Sequence, residues 1–100
     1  MADNWLDKIP VQNDDMVWRV VDDECIIVDP QGSQATVLNP LGTRIWELSD
    51  GKRTMADIVD RILIEYQVER PRAEADARDF VSDLHLRKLI SFAGDAPAGV

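Results

Sequence analysis

The eighteen residues from position 37 to 54 leave a folding chain very little freedom. They read Val37-Leu38-Asn39-Pro40-Leu41-Gly42-Thr43-Arg44-Ile45-Trp46-Glu47-Leu48, then Ser49-Asp50-Gly51-Lys52-Arg53-Thr54. A short apolar run ends at Asn39, a good helix N-cap, and Pro40 follows at the first helical position, where a missing N–H costs nothing. Leu41, Ile45 and Leu48 share one helical face. Asp50-Gly51 stops that helix and Thr54 caps the next. The segment therefore reads strand, helix, tight loop, helix.

The flanking residues extend this pattern. Residues 16–38 read as a three-stranded antiparallel meander. β-Branched and aromatic residues fill 16–21, Asp22-Asp23 turns the chain, and 24–29 carry an unbroken apolar centre that implies at least partial cover on both faces. Pro30-Gln31-Gly32 makes the second turn, with proline presetting φ and glycine supplying a positive φ. In the third strand, 33–38, Ala35 and Val37 point one way and Gln34, Thr36 and Leu38 the other. This strand is short, uncharged and weakly apolar. At a sheet edge it carries none of the lysines, prolines or bulges that usually block pairing, so it is either covered or reserved for a partner.

The remainder is helical. Thr54 and Asp57 form a capping box for a helix whose Met55, Ile58, Val59, Ile62, Leu63 and Tyr66 make an amphipathic stripe. Pro71 opens a third helix running to about Leu86, with Ala73, Ala77, Phe80, Val81 and Leu84 inward and Asp76, Asp79 and Asp83 on an exposed side. Gly42, a weak helix former, is expected close to a neighbour that tolerates only a small residue. Residues 1–15 are expected to be a loosely attached arm, 16–92 the domain, with 88–92 returning as a short extended segment, and 93–100 a disordered tail. The expected class is α+β: a winged helix-turn-helix-like arrangement of a three-stranded antiparallel sheet followed by three helices.

Charge and chemistry narrow the function. The net charge is -8. Residues 1–50 carry three Lys/Arg against ten Asp/Glu, and residues 51–100 eight against nine, so the acidity sits in the N-terminal half. Such a field repels nucleic-acid phosphates and anionic lipid. A winged-helix DNA regulator is the rival to weigh, but its recognition helix would carry Glu74, Asp76, Asp79 and Asp83 into the groove. The chain has one Cys, Cys25, in an apolar run where a free thiol packs as a small hydrophobe, and one His, His85, with no recognisable nucleophile beside it. No metal-ligand spacing or glycine-rich phosphate loop is present, so neither cofactor nor catalysis is expected. There is no signal-peptide pattern and no apolar stretch of membrane-spanning length, so the expected location is the cytoplasm.

The ordered motifs resemble the PqqD family, the small domains also called RiPP recognition elements. The resemblance rests on Val37-Leu38-Asn39, Gly42, Ile45-Trp46-Glu47-Leu48, Asp50-Gly51-Lys52-Arg53-Thr54, Ile58, Ile62, Tyr66-Gln67-Val68, and Asp76 with Phe80, Val81 and Leu84. It spans roughly residues 16–92. Two departures stand out: Lys88 where many relatives have Gly before the final Leu-Ile/Val, and His85-Leu86 where small or aliphatic residues are usual. The resemblance implies a peptide carrier. It would bind the leader of a ribosomally made precursor and present it to a modifying enzyme, often a radical SAM protein; in the founding pathway the product is pyrroloquinoline quinone. The leader would add as a strand beside the third strand, along Gln34, Ala35, Thr36, Val37 and Leu38, with the third helix as the other wall. Arg78, Val81, Ser82 and His85 are the candidate wall residues; Asp79 and Asp83, on the other flank, would instead suit a basic leader or the enzyme. A general protein-interaction module is the further alternative. An unprotected edge makes a monomer or a weak homodimer the expected state.

Overall fold

The computed structural model describes residues 4–93. A single 3-10 turn (Trp5–Asp7) precedes β1 (Pro10–Gln12), β2 (Val17–Val21), β3 (Glu24–Val28), β4 (Ala35–Leu38), α1 (Pro40–Leu48), α2 (Met55–Glu65), α3 (Arg70–Leu86) and β5 (Ile90–Phe92). The fold is α+β. One antiparallel sheet has the order β2-β3-β4, and three helices follow it. Among the described residues no helix is long and apolar enough to cross a membrane.

The punctuation read from the sequence is present atom by atom. Asn39 Oδ1 accepts from the Gly42 N–H at 2.7 Å, and Pro40 opens α1. At α2, Thr54 and Asp57 exchange both bonds of a capping box at 3.1 Å each. The β2–β3 turn places Asp22 and Asp23 at φ 52° and 65°, the two positive values of the turn that matches strand twist. The core joins Cys25, Ile27 and Leu38 of the sheet to Ile45, Trp46, Leu48, Ile58, Val59, Ile62, Ala73, Ala77, Val81 and Leu84. Trp46 is fully buried beneath the edge of Trp18, with ring centroids 6.0 Å apart. Tyr66 ends the α2 stripe exposed, and β3 is buried on its inner face but only half-covered on its outer one.

The N-terminal segment is not a loose arm over residues 8–13. β1 pairs antiparallel with β5, Pro10 opposite Phe92 and Gln12 opposite Ile90, forming a second two-stranded sheet. Lys8 C=O accepts from Met55 N–H at 2.8 Å, Gln12 N–H donates to Ser49 C=O at 3.0 Å, and Gln12 Nε2 donates to Trp46 C=O at 2.6 Å. Pro10 is buried at the first strand position, where a missing N–H is tolerated. A three-residue strand whose partner lies about eighty residues away leaves no periodic trace in the sequence, which is why it reads as loop. The same pairing fixes 90–92 as the extended return. The expected tail lies outside the described residues from position 94 onward.

Candidate functional site

The register of the sheet decides which backbone groups of β4 are spoken for. A two-residue turn closes on a hydrogen-bonded pair, here Val21 with Glu24, and bonded and non-bonded pairs then alternate along the ladder. Glu24, Ile26 and Val28 therefore turn their N–H and C=O groups to β2, and Cys25, Ile27 and Asp29 turn theirs to β4. Their partners are Leu38, Thr36 and Gln34. The Asp29 N–H donates to Gln34 C=O at 3.2 Å, as this phase requires. At the other end a side chain completes the ladder: the buried Thr43 hydroxyl accepts from Cys25 N–H at 2.8 Å and donates to Leu38 C=O at 3.2 Å.

It follows that Ala35 and Val37 alone, within β4, aim both backbone groups away from β3. β4 is an edge strand with no strand on its far side among the described residues. The open rim is thus four polar groups on two residues, not all five residues expected from the sequence. Gln34, just before the strand, Thr36 and Leu38 spend their backbone on β3. Leu38 is buried, Thr36 half-buried, and Ala35 and Val37 exposed on the outer face.

The helical wall beside this rim is one flank of α3: Phe80, Asp83 and Arg87, spaced three and four residues apart. Arg87, at the C-cap of α3, reaches across to β4, its Nη2 donating to Thr36 Oγ1 at 2.6 Å; its Nη1 lies 3.4 Å from Asp83. Phe80 packs against α1 so closely that a Cβ added to Gly42 would lie 2.6 Å from its Cε1. This is the neighbour that the glycine anticipates. Between β4 and the end of α3 lies a cleft of about 340 Å³ lined by Met16, Ile27, Asp29, Gln34, Thr36, Arg87 and Leu89, so Gln34 and Thr36 of the expected residues reach it. Asp83 is paired with Arg87 on this flank, and Asp79, which forms no ion pair among the described residues, leaves it with one uncompensated carboxylate.

The structure does not bring Arg78, Ser82 and His85 to that groove. They occupy the opposite flank of α3 and line a separate cavity of about 340 Å³ with Trp5, Lys8 and Phe92. Val81, buried at 2% exposure, lines that same far cavity and not the cleft beside β4. Helical periodicity separates two flanks but cannot tell which one meets the sheet; the Arg87–Thr36 bond decides it. Asp83 lies on the flank that the sequence offered as the alternative, whereas Phe80, Arg87 and Thr43, which the structure also places around β4 and Gly42, were not among the residues expected there.

The two remaining chemical candidates are occupied by packing. Burial, and then the charge of Glu47, push the Cys25 thiol up to about 11. His85 leans on Phe92 with ring centroids 4.8 Å apart.

Residues 24–90 match the model of a family described as coenzyme PQQ synthesis protein D (PqqD). The chain belongs to the PqqD family. The match runs from β3 through the first residue of β5, so it contains the β4 rim and the whole of α3. A PqqA binding protein of Rahnella aquatilis is 37% identical over 67 residues, 67% of each chain. Among solved structures, TbiB1 in complex with the TbiA(beta) leader peptide superposes with a TM-score of 0.71 at 38% identity, covering 87% of this chain and 99% of that one. A lasso peptide synthetase B1 complexed with its leader peptide gives a TM-score of 0.73 at 20% identity, over 83% of this chain and 98% of that one, and so shares the fold.

Proposed function

We propose that this PqqD-family protein binds the leader of a ribosomally made precursor peptide as a fourth strand on β4 and presents the rest of the precursor to a modifying enzyme, a radical SAM protein being the class the family resemblance implies. The observation that carries this reading is the bare rim of Ala35 and Val37 beside the Phe80–Arg87 flank. A chain at the usual spacing of about 4.8 Å would exchange four backbone bonds with these two residues. Its inward side chains would enter the cleft under Thr36 and Arg87, where apolar Ile27 and Leu89 supply affinity and the uncompensated Asp79 carboxylate on the same flank favours a neutral or basic segment. The protein itself acts in the cytoplasm as a carrier without catalysis or cofactor, as a monomer or through weak pairing of the same edge. The relatives solved with leader peptides and the PqqA-binding homologue support this assignment.

The test is Val37→Pro. The substitution deletes an N–H that faces the open side and puts the pyrrolidine ring where the added strand would lie, while the ladder to β3 keeps all its bonds. Binding of the leader encoded beside the gene, followed by calorimetry and by amide shifts in labelled protein, should weaken at least about tenfold, a loss of roughly 1.4 kcal/mol. Thermal stability should barely move. A Val37→Pro protein that binds the leader as the parent does would remove the reading.

A further inference from the structure

The cavity on the far flank of α3 is left unused by the strand-addition reading, and its chemistry is unlike the rest of this acidic protein. Lys8 and Arg78 enter it from different elements, and His85 joins them; no Asp or Glu is among its lining residues. Among the described residues neither Lys8 nor Arg78 forms an ion pair, as is also true of Arg19, Lys52, Arg61 and Lys88; what sets Lys8 and Arg78 apart is that they converge on one cavity. The Lys8 ammonium lies 5.0 Å from the centroid of the Phe92 ring, against which His85 also stacks. At the mouth, Leu86 is 81% exposed, an apolar surface with nothing on it.

A second observation links this cavity to the groove. Lys88 sits at φ +65°, just past the end of α3, with its N–H on His85 C=O at 3.0 Å and the Leu89 N–H on Leu84 C=O at 2.9 Å. This is the helix-ending position that glycine fills at no cost and a lysine fills with strain. Lys88 and His85 line a cleft of about 540 Å³ around the C-terminal end of the helix, with Asp14 and Asp15 on its other side. His85 is shared with the far cavity, and Arg87 and Leu89, the neighbours of Lys88, line the groove. Cations near a helix C-terminus are favoured by its dipole, which accounts for Arg87 and Lys88. It does not account for Lys8, on another segment, or for Arg78, two turns back.

We propose that the far cavity is a second subsite for the precursor, taking a carboxylate-bearing segment that has left the β4 rim and wrapped round the end of α3. This rests on the strand-addition reading. Half the circumference of a helix is roughly 16–19 Å, so the acidic residue stands about five or six positions from the paired segment. The stretch crossing the cleft beside Asp14 and Asp15 is the neutral spacer, and the acidic residue lies beyond it, in the far cavity. α3 then selects with both flanks: the Asp79 flank faces the paired strand, and cations backed by Trp5, Phe92 and Leu86 face the wrapped one.

Two titrations of the full chain test this. The first uses an acetylated, amidated Leu-Glu-Asp-Leu tetrapeptide and its Leu-Gln-Asn-Leu isostere. At millimolar concentration the acidic peptide alone should shift the Trp5 indole and the amides of Ser82 and His85. Arg78→Glu should remove the shifts, and Val37→Pro should leave them intact. The second uses the precursor encoded beside the gene, native and with every Asp and Glu outside the paired strand changed to Asn or Gln. The parent protein should bind the native form about fivefold tighter, Arg78→Glu should lose that preference, and Lys88→Gly should bind more weakly while melting at a higher temperature. Equal binding of the two precursors, or an unresponsive tetrapeptide titration, overturns the second subsite. If Val37→Pro abolishes precursor binding while Arg78→Glu is without effect, strand addition survives and only the subsite falls.

Discussion

Thr43→Val tests whether one hydroxyl holds the inner edge of the binding strand in place. The side chain is 3% exposed, and its oxygen stands between Cys25 N–H and Leu38 C=O, at 2.8 and 3.2 Å. Valine has nearly the same shape, so packing changes little. What changes is that a buried N–H loses its acceptor and a buried C=O loses its donor. An orphaned buried donor costs about 1–3 kcal/mol, and the added methyl returns less than about 1. The expected net loss is about 2 kcal/mol, a large share of the stability of a domain this size. With a urea m value of about 1–2 kcal/mol/M, the midpoint should fall by roughly 1–2 M, read from tryptophan fluorescence as Trp46 is exposed. Thr43→Ser keeps the hydroxyl and should lose only about 1 kcal/mol, for the missing methyl. Leader affinity should fall in the valine variant even where it remains folded, because the Leu38 end of β4 is no longer pinned. A midpoint within about 0.3 M of the parent would mean that the strands close and bond directly, and the bridging role would be wrong.

Further expectations follow from the same geometry. Gly42→Ala puts a Cβ 2.6 Å from the Phe80 ring, so the half-buried ring must swing into the groove. The clash outweighs the gain in helix propensity, with a net cost of about 1 kcal/mol and weaker leader binding, measurable together by denaturation and calorimetry. Cys25 should resist thiol reagents in the native protein at pH 8. Because its folded value, about 11, lies above the 9.0 of an exposed thiol, the unfolded chain ionises first, and stability should decline as pH rises from about 9 to about 11. Acid works in the opposite sense. The hydrogen bonds from the Arg44 guanidinium, at 2.8 Å, hold the Glu65 carboxyl below its ordinary 4.5, so the pair stabilises the fold above that value and its contribution is lost as pH falls through the depressed one. Arg44→Gln should flatten the acid limb of a stability–pH curve; an unchanged limb would count against the pair.

Local chemistry sufficed for most of the architecture. The caps at Asn39 and Thr54, the turn at Asp22-Asp23 and the stripe from Met55 to Ile62 act within one turn of helix or one hairpin, so their signals lie within a few residues. The resemblance to the PqqD family was legible for the same reason, being carried by that punctuation in order. The bareness of β4 could also be suspected, since nothing in residues 33–38 protects an edge.

What needed the tertiary structure is everything set by contacts between distant segments. The pairing of β1 with β5 joins chain ends through three residues each, too short for a period to show. The phase of the β3–β4 ladder, fixed by a turn on one side and the Thr43 hydroxyl on the other, reduced the open rim to Ala35 and Val37. The same helical sequence offers two flanks related by symmetry of spacing. Only the packing of Phe80 on Gly42 and the reach of Arg87 to Thr36 turn one toward the sheet and leave Arg78, Ser82 and His85 on the other, because rotation of a helix about its axis is decided by its neighbours and not by its own residues.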